Sequence, residues 1–301
     1  MTTVRLAHFS DIHLTSPKLG WRPRDLASKR VTGWVNVKLL GRGRRFRHAV
    51  AVVAAMMSEI RQRSFDGLVF SGDATGMGFA SEFAVAALAL GVADPDSPPA
   101  VAVPGNHDYY TRRAVRDGRF EEHFAPWQIG ERVDEHPYPF ARKVGHVWLI
   151  AVNSSTVNRW HWDASGAIGI DQLERLKRLC DRLDPGPRIL VTHYPLRTEQ
   201  GLVEPRVHQL RDHRHALRTA IDCGVSLWLH GHLHRPFILA PSAAIPFPIV
   251  CVGSSTQTDR WAYHDYTIED SRVLAVRRIY RVVENSFDDH SRFEFDLPQS
   301  R

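Results

Sequence analysis

Short apolar runs that end in small or polar residues recur along the 301-residue chain. Runs of this kind, bounded by turn-forming residues, are typical of buried β-strands. The predicted strands cover residues 4–10, 67–71, 100–103, 146–152, 188–192, 226–229 and 249–252.

Longer segments with helical spacing of apolar residues lie between several of these strands. The predicted helices cover residues 46–63, 81–90, 171–183 and 213–223. In the third helix leucines recur at helical spacing, and Asp171 is a plausible N-cap. Strands that alternate with helices predict a layered α/β domain.

The C-terminal part of the chain has a different pattern. Residues 263–283 place two apolar segments on either side of a turn-like Glu-Asp-Ser sequence, which predicts an antiparallel hairpin. Residues 284–301 are polar and are predicted to form a loosely ordered tail. Because no repeat or linker interrupts the chain, we expect a single domain over residues 1–301, with its core at about 4–255.

The composition indicates a soluble globular protein, with 43% hydrophobic and 24% charged residues. The three cysteines are far apart in sequence and suggest neither a disulfide framework nor a thiolate metal site. We expect no leader peptide, and no run approaches the roughly 18 apolar residues of a membrane-spanning helix. The expected location is the cytoplasm. Peripheral contact with the inner face of the membrane is an additional hypothesis.

A basic segment at residues 29–47 accounts for more than the net charge of +6, since it contains seven Lys and Arg residues and no acid. Part of it predicts a helix with Trp34 and Lys38 on one face, although Gly33 and Gly41 weaken that prediction. Three interpretations remain open: a solvated surface helix, contact with an anionic membrane or lipid, and, less favoured, contact with nucleic acid. The candidate lipid or substrate contacts are Trp34, Lys38, Arg42, Arg44 and Arg45.

Asp, Asn and His residues follow five of the predicted strands, where the carboxyl end of each strand is expected. In α/β sheets these ends border the ligand site, so we expect the five segments to converge. The residues concerned are Asp11, His13, Asp73, Asn106, His107, Asp108, His193, His232 and His234.

Oxygen and imidazole ligands without thiolate suit Mn, Fe, Zn or Co. Two such ions about 3.5 to 4 Å apart can clamp the oxygens of an in-line phosphoryl displacement and activate a water molecule. A shared carboxylate would be needed to join them. Gly72 and Gly105 precede candidate ligands and would permit a close approach of the backbone.

Together these segments carry the motifs DxH, GD, GNH(D/E), H and GHxH, in this order over about the first 255 residues. In this the sequence resembles the calcineurin-like metallophosphoesterase superfamily. The resemblance implies a four-layer α/β/β/α sandwich that holds two divalent metal ions. It assigns one ion to Asp11, His13, Asp73 and His234, and the other to Asp73, Asn106, His193 and His232.

The same resemblance makes His107 the catalytic residue that is not a metal ligand, with Asp108 orienting it. One departure is the sequence Gly72-Asp-Ala-Thr-Gly76, which lacks the second Asp of the GDxxD motif found in cyclic-nucleotide phosphodiesterases. Assignment to that subgroup is thereby weakened.

The predicted function is hydrolysis of a phosphodiester or pyrophosphate bond, with a lipid-linked substrate such as UDP-diacylglucosamine as a specific hypothesis. The alternatives are a soluble phosphodiesterase for cyclic nucleotides or glycerophosphodiesters, and a non-catalytic metal-binding scaffold. The sequence leaves the metal identity and the oligomeric state open.

The other histidines lack a comparable setting and are interpreted as surface or structural residues. His161, between Trp160 and Trp162, fits either a substrate-facing loop or aromatic packing. The residues interpreted as surface or structural are His48, His123, His136, His146, His208, His213, His215, His264 and His290.

Overall fold

The computed structural model describes residues 3–298 except 40, 159 and 161, and omits the side chain of Arg42. It has two six-stranded sheets and eight α-helices in these residues. The strands are β1 (Thr3–Phe9), β2 (Gly67–Phe70), β3 (Ala100–Ala102), β4 (Phe140–Val144), β5 (Val147–Ala151), β6 (Arg188–Val191), β7 (Val225–His230), β8 (Phe237–Leu239), β9 (Ile249–Cys251), β10 (Ala262–Glu269), β11 (Arg272–Arg281) and β12 (Ser286–Asp296). The helices are α1 (Lys29–Lys38), α2 (Arg42–Arg45), α3 (Ala49–Gln62), α4 (Ala80–Leu90), α5 (Arg112–Arg116), α6 (Arg119–His123), α7 (Ile170–Cys180) and α8 (His213–Asp222).

The first sheet has the strand order β12-β11-β10-β1-β2-β3, and the second has the order β4-β5-β6-β7-β9-β8. In the first sheet β1, β2 and β3 are parallel, as are β5, β6, β7 and β9 in the second. The carboxyl ends of these parallel strands carry the predicted site loops, so both sheets contribute to one edge of the molecule.

Three apolar layers hold the fold together. The inner faces of the two sheets pack on each other through residues such as Leu6, Leu149 and Leu227. The outer face of the first sheet packs against α3 and α4, and the outer face of the second packs against α7 and α8. This arrangement is the four-layer α/β/β/α sandwich that was expected.

All seven predicted strands and all four predicted helices are present, and their ends differ from the predicted ones by at most three residues. The predicted hairpin corresponds to β10 and β11. The prediction that Asp171 caps α7 is wrong, because the helix begins at Ile170 and its N-cap is Gly169. Helices α5 and α6 and strands β4 and β8 were not predicted.

The prediction of a loosely ordered C-terminal tail is also wrong for most of that segment. Residues Ser286–Asp296 form β12, which pairs antiparallel with β11 at the edge of the first sheet. Its Phe287 is buried against Tyr263 and Tyr280. An edge strand needs few buried side chains because most of its surface meets water, so a polar composition does not exclude it. Among the described residues, no helix is both long enough and apolar enough to cross a membrane.

Candidate metal centre

The loops after β1 and β2 are joined by backbone hydrogen bonds that place their polar residues side by side. The N–H of Asp11 donates to the carbonyl of Gly72 at 2.9 Å, and the N–H of His13 donates to that of Asp73 at 3.0 Å. The loop after β7 joins them where the N–H of His232 donates to Asp11 Oδ2 at 3.0 Å. The motifs therefore converge through main-chain contacts as well as through their side chains.

Five of the predicted ligands have a left-handed backbone conformation, with φ between 43° and 68°. This region is unfavourable for residues with a Cβ atom, and each instance costs on the order of 1 kcal/mol or more. Such strain persists only where the surrounding contacts impose it, and it is typical of functional sites. The residues concerned are Asp11, His13, Asp73, His232 and His234.

Two glycines permit the close packing of these loops. A Cβ atom on Gly105 would overlap Asp73 Oδ1, and one on Gly231 would overlap Ser10 Oγ. The backbone of Gly105 thus lies close to the carboxylate of Asp73, as expected. Gly231 permits a similar close approach to Ser10.

Four of the predicted ligands form one cluster, in which one donor atom from each of Asp11, His13, Asp73 and His234 lies within 4.8 Å of the others. His234 Nε2 is 3.1 Å from Asp11 Oδ1 and 3.2 Å from His13 Nε2. His13 Nε2 is 3.6 Å from Asp73 Oδ2.

The other predicted ligands form a second cluster on the far side of Asp73. Asn106 Oδ1 lies 3.1 Å from His193 Nε2 and 3.1 Å from His232 Nδ1. His193 Nε2 lies 3.5 Å from Asp73 Oδ2. The same oxygen of Asp73 is therefore near a histidine of each cluster, as a carboxylate shared by two ions would be.

The hydrogen bonds of the histidines test whether these donors suit a cation. Nδ1 of His13 is 3.3 Å from the carbonyl of Thr75, and Nδ1 of His193 is 2.8 Å from that of Ser71. Nδ1 of His234 is 2.6 Å from Gln257 Oε1. A carbonyl oxygen can only accept, so Nδ1 carries the hydrogen, and Nε2 of each neutral ring presents a lone pair to the site.

Lone pairs and carboxylate oxygens that converge in this way repel one another unless a cation or a proton lies among them. Asp11 Oδ1 is buried and accepts no hydrogen bond of good geometry from the described residues. A buried carboxylate oxygen without a donor is costly, which a divalent ion would offset. The residues present therefore fit a bound metal.

The pKa values of these groups agree with cation binding. Burial lowers the pKa of His193 and of His232, which keeps both rings neutral at pH 7. Burial tends to raise the pKa of Asp11, but His234, His193 and Ser10 together outweigh it and bring the pKa to about 2. Burial opposes protonation of His234, but Asp11 and Gln257 raise its pKa above the usual value. A proton therefore competes with a metal at His234.

His107 borders this centre, with its ring centroid 4.8 Å from that of His13. Its Nδ1 lies 2.7 Å from the carbonyl of Gly76, and its ring stacks on Tyr110 at 5.4 Å. These contacts fix the plane of the ring. Its backbone N–H donates to Asp73 Oδ1 at 2.7 Å, which links His107 to the carboxylate of Asp73.

Asp108 has a different position from the one that the motif suggested. Its carboxylate accepts hydrogen bonds from the backbone N–H groups of Gly105, Ala74 and Thr75 at 2.9 to 3.2 Å. Burial and the charge of Asp73 raise the pKa of Asp108 to about 7, although the hydrogen bonds from these three N–H groups act to lower it. The contact that orients His107 is thus the carbonyl of Gly76, and Asp108 instead ties together the loops after β2 and β3.

Two cavities reach the metal centre from different sides. The larger, about 860 Å³, is bordered by Asp73, Asn106, His107, His232 and His234. Its outer walls are formed by α1, Tyr110 and the following loop residues: Thr156, Asn158, Trp162, Asp163, Ala164, Glu204 and His208. The smaller, about 460 Å³, is bordered by His13 and has apolar walls that include Leu14, Val37, Phe46 and Met77.

The basic segment lies between these cavities. Helix α1 forms as predicted, and Trp34 is 37% exposed. Lys38 and Arg44 border the smaller cavity, whereas Arg45 borders a shallow surface pocket near Thr258. The side chain of Arg42 and the whole of His161 lie outside the described residues.

Several residues that border the site had not been assigned to it. Gln257, which contacts Nδ1 of His234, lies outside all five sequence motifs. His208, interpreted from sequence as surface or structural, borders the larger cavity, as do Lys29 and Tyr110. Tyr110 lies two residues beyond the GNHD motif, and this position was the only indication in the sequence that it borders the site. Lys29 was noted only as part of the basic segment.

The sequence profile of the calcineurin-like phosphoesterase family matches residues 4–236. The chain belongs to this family. As a member, it is a metal-dependent phosphoester hydrolase. A search of curated proteins found no match.

Solved structures with the same fold share little sequence with this chain. A dimetal phosphatase from Danio rerio has a TM-score of 0.68 at 10% identity, over 98% of this chain and 99% of that one. The purple acid phosphatase PPD1 from yellow lupin seeds has a TM-score of 0.62 at 13% identity, over 98% of this chain and 54% of that one. GAP50, the anchor in the inner membrane complex of Plasmodium, has a TM-score of 0.56 at 9% identity, over 100% of this chain and 91% of that one. At these identities the likeness concerns the fold alone.

Proposed function

We propose that this family member hydrolyses a phosphodiester or pyrophosphate bond at a centre of two divalent ions. One ion would be held by Asp11, His13, Asp73 and His234, and the other by Asp73, Asn106, His193 and His232. The position of Asp73 Oδ2, 3.6 Å from His13 Nε2 and 3.5 Å from His193 Nε2, supports a shared carboxylate. The donor set suits Mn, Fe, Zn or Co.

Bound ions of this kind activate water at neutral pH and neutralise charge on phosphoryl oxygens. The protein contributes the orientation of the ligands, through Thr75, Ser71 and Gln257. His107 borders the larger cavity and has its Nδ1 held by Gly76. Its protonated ring would give the Nε2 proton to the leaving oxygen of the substrate.

The observation that favours a substrate with two organic groups is the pair of cavities. One reaches the centre at Asn106 and His232, and the other reaches it at His13. A phosphate monoester has one organic group and would leave one cavity unused. A phosphodiester or a substituted pyrophosphate has two groups and can occupy both.

The smaller cavity favours a lipid-linked substrate, such as UDP-diacylglucosamine, as the specific candidate. Its walls are mainly apolar, and Lys38, Arg44 and Arg47 surround them. An acyl chain fits apolar walls, and a basic rim attracts an anionic headgroup or membrane surface. The proposed enzyme would then act in the cytoplasm, at the inner face of the membrane. The competing candidate is a soluble phosphodiesterase for cyclic nucleotides or glycerophosphodiesters.

The proposal is tested by metal analysis together with an activity panel on one preparation. Protein loaded with Mn²⁺ should hold two ions per chain and hydrolyse bis(p-nitrophenyl) phosphate faster than p-nitrophenyl phosphate. A preference for the monoester, or fully loaded protein with no activity on either ester, would contradict the proposal.

The lipid candidate has a separate test. Co-sedimentation with vesicles that contain anionic phospholipid should be strong at low salt and should weaken as salt rises. Absence of binding at low salt, with turnover unaffected by vesicles, would favour the soluble phosphodiesterase.

A further inference from the structure

Lys29 and Arg30 are adjacent basic residues in the first turn of α1, yet their surroundings differ. The guanidinium of Arg30 is buried, pairs with Asp25 at 2.7 Å and donates to the carbonyls of Met77 and Gly78. It also stacks on Phe79, 3.9 Å from the ring centroid. These contacts anchor the start of α1 to the loop after β2.

A second contact holds the helix close to the site. Gly33 lies against the ring of Tyr110, where a Cβ atom would overlap the phenol oxygen. The hydroxyl of Tyr110 donates to the carbonyl of Lys29 at 3.3 Å. Helix α1 is thus a fixed wall of the larger cavity.

The ammonium of Lys29 points into that cavity over the face of Tyr110, 4.4 Å from the ring centroid. Among the described residues, no carboxylate oxygen lies within 4.0 Å of it, and it makes no hydrogen bond. Burial lowers its pKa, while the charges of Asp163 and Asp73 oppose that shift. The group has thus lost hydration without gaining a direct acidic partner.

The position of Lys29 is also unfavourable for the helix. A cation in the first turn opposes the helix dipole, and α1 has no acidic residue there to compensate. Departures from such local rules tend to occur at functional sites. Arg30 does not share this interpretation, since its contacts account for it.

The geometry points to a ligand beside Lys29. Tyr110 stacks on His107 on one side and meets the ammonium of Lys29, so the cation lies one aromatic ring beyond the proposed proton donor. Lys29 is the one Lys or Arg among the described residues that border this cavity. We propose that Lys29 binds a second phosphate, next to the one that is attacked, and that the enzyme is therefore selective for pyrophosphate-linked substrates over simple phosphodiesters.

This inference rests on the proposed function and narrows it. The test compares two substrates that differ only in the second phosphate: bis(p-nitrophenyl) phosphate and P1,P2-bis(p-nitrophenyl) pyrophosphate. For Lys29→Met, kcat/KM for the pyrophosphate should fall by about 10-fold to 100-fold, the range for loss of a charge-assisted hydrogen bond. For the simple diester it should change by less than about threefold, because that substrate lacks the group that Lys29 would bind.

Two variants control for other effects. Lys29→Arg keeps the charge and should recover most of the selectivity. Lys177→Met removes a half-buried lysine of α7 that pairs with Glu174, and should leave the hydrolysis of both substrates unaffected. Lys29→Met loses the contact with Tyr110 but also removes the unfavourable charge at the start of α1, so the melting temperature should change little and lost activity would not reflect unfolding.

Equal losses on both substrates, or no loss on either, would overturn the inference. A wild-type enzyme that hydrolyses the diester but not the pyrophosphate would overturn it and leave the proposed function intact. Failure of metal-loaded wild-type protein on both substrates would overturn the two proposals together.

Discussion

The loops of the metal centre and the basic segment at 29–47 differ in how their polar residues are satisfied. In the loops, buried acids and histidines face one another across 3.1 to 3.6 Å with few internal donors. In the basic segment, each guanidinium nitrogen of Arg30 donates to a carbonyl or to Asp25, whereas the ammonium of Lys29 faces a cavity. The first region has donors that fit cations, and the second presents a cation of its own.

This difference separates two tasks. In the proposed enzyme the loops would determine the reaction, because their donors would hold the ions. The basic segment would influence which phosphoester reaches those ions, because it lies between the two cavities. Substitutions in the loops should therefore affect every substrate equally, and substitutions at 29–47 should affect substrates differently.

The largest effect is expected at the shared carboxylate. Asp73→Ala should remove both ions and lower turnover by at least about 1,000-fold, since metal ions supply several kcal/mol of transition-state stabilisation. Metal content and kcat measured on the same sample test this. Asp171→Ala, an exposed acid of α7, is the control. Retention of two ions by Asp73→Ala would contradict the shared ligand.

The anchor of α1 should have the next largest effect, on stability. Arg30→Met leaves Asp25 and two carbonyls without their partner, and removal of one member of a buried pair costs about 3 to 5 kcal/mol. Denaturant unfolding measures this loss. Arg24→Met, at an exposed arginine nearby, should be neutral. Unchanged stability in Arg30→Met would mean that α1 is not anchored there.

His107 should affect turnover while leaving the metals in place. His107→Ala removes the proposed proton donor and should lower kcat by about 100-fold or more. Metal analysis should still find the ions, because the predicted ligands are untouched. Metal loss as severe as in Asp73→Ala would show that His107 does not have a separate role.

Metal affinity should depend on pH through His234. Asp11 and Gln257 raise the pKa of this ring above its ordinary value, so protons bind there and displace a metal as the pH falls through that pKa. The apparent Kd for Mn²⁺ should rise by up to about tenfold per pH unit between pH 8 and 6. Titrations of wild type and His234→Gln should differ in this slope, and identical slopes would assign the competing proton elsewhere.

The smallest catalytic effect is expected at Trp34. This side chain is 37% exposed and does not border either of the two cavities among the described residues. Trp34→Ser should change the turnover of a water-soluble diester by less than about twofold and should weaken vesicle co-sedimentation if the lipid candidate is right. Unaltered vesicle binding would remove Trp34 from the proposed membrane contacts.

The strands predicted from sequence share one property, which is continuous apolar character, whereas the predicted helices repeat apolar residues at helical spacing. Strands such as β5 and β7 are buried along their whole length and produce a strong signal. Strand β12 was missed because an edge strand keeps most of its residues in water. The start of α7 was misplaced by one residue because Gly169 is the cap although it carries no capping side chain.

For the site, the motifs identified residues whose chemistry is recognisable by type and spacing. They did not identify Gln257, which is remote in sequence from His234, or the carbonyl of Gly76, which any residue could supply. The role suggested for Asp108 came from its position next to His107, whereas its hydrogen bonds lead to the loop after β2.

The sequence by itself determined the strand and helix pattern, the set of candidate ligands and the family, because each depends on residue type and order along the chain. The tertiary structure decided which candidate ligands lie near Asp73, where the two cavities lie and how the surroundings of Lys29 differ from those of Arg30. These depend on distances between segments that are far apart in the chain. A basic residue has the same appearance in sequence whether it anchors a helix or faces a substrate, and only its partners in space distinguish the two.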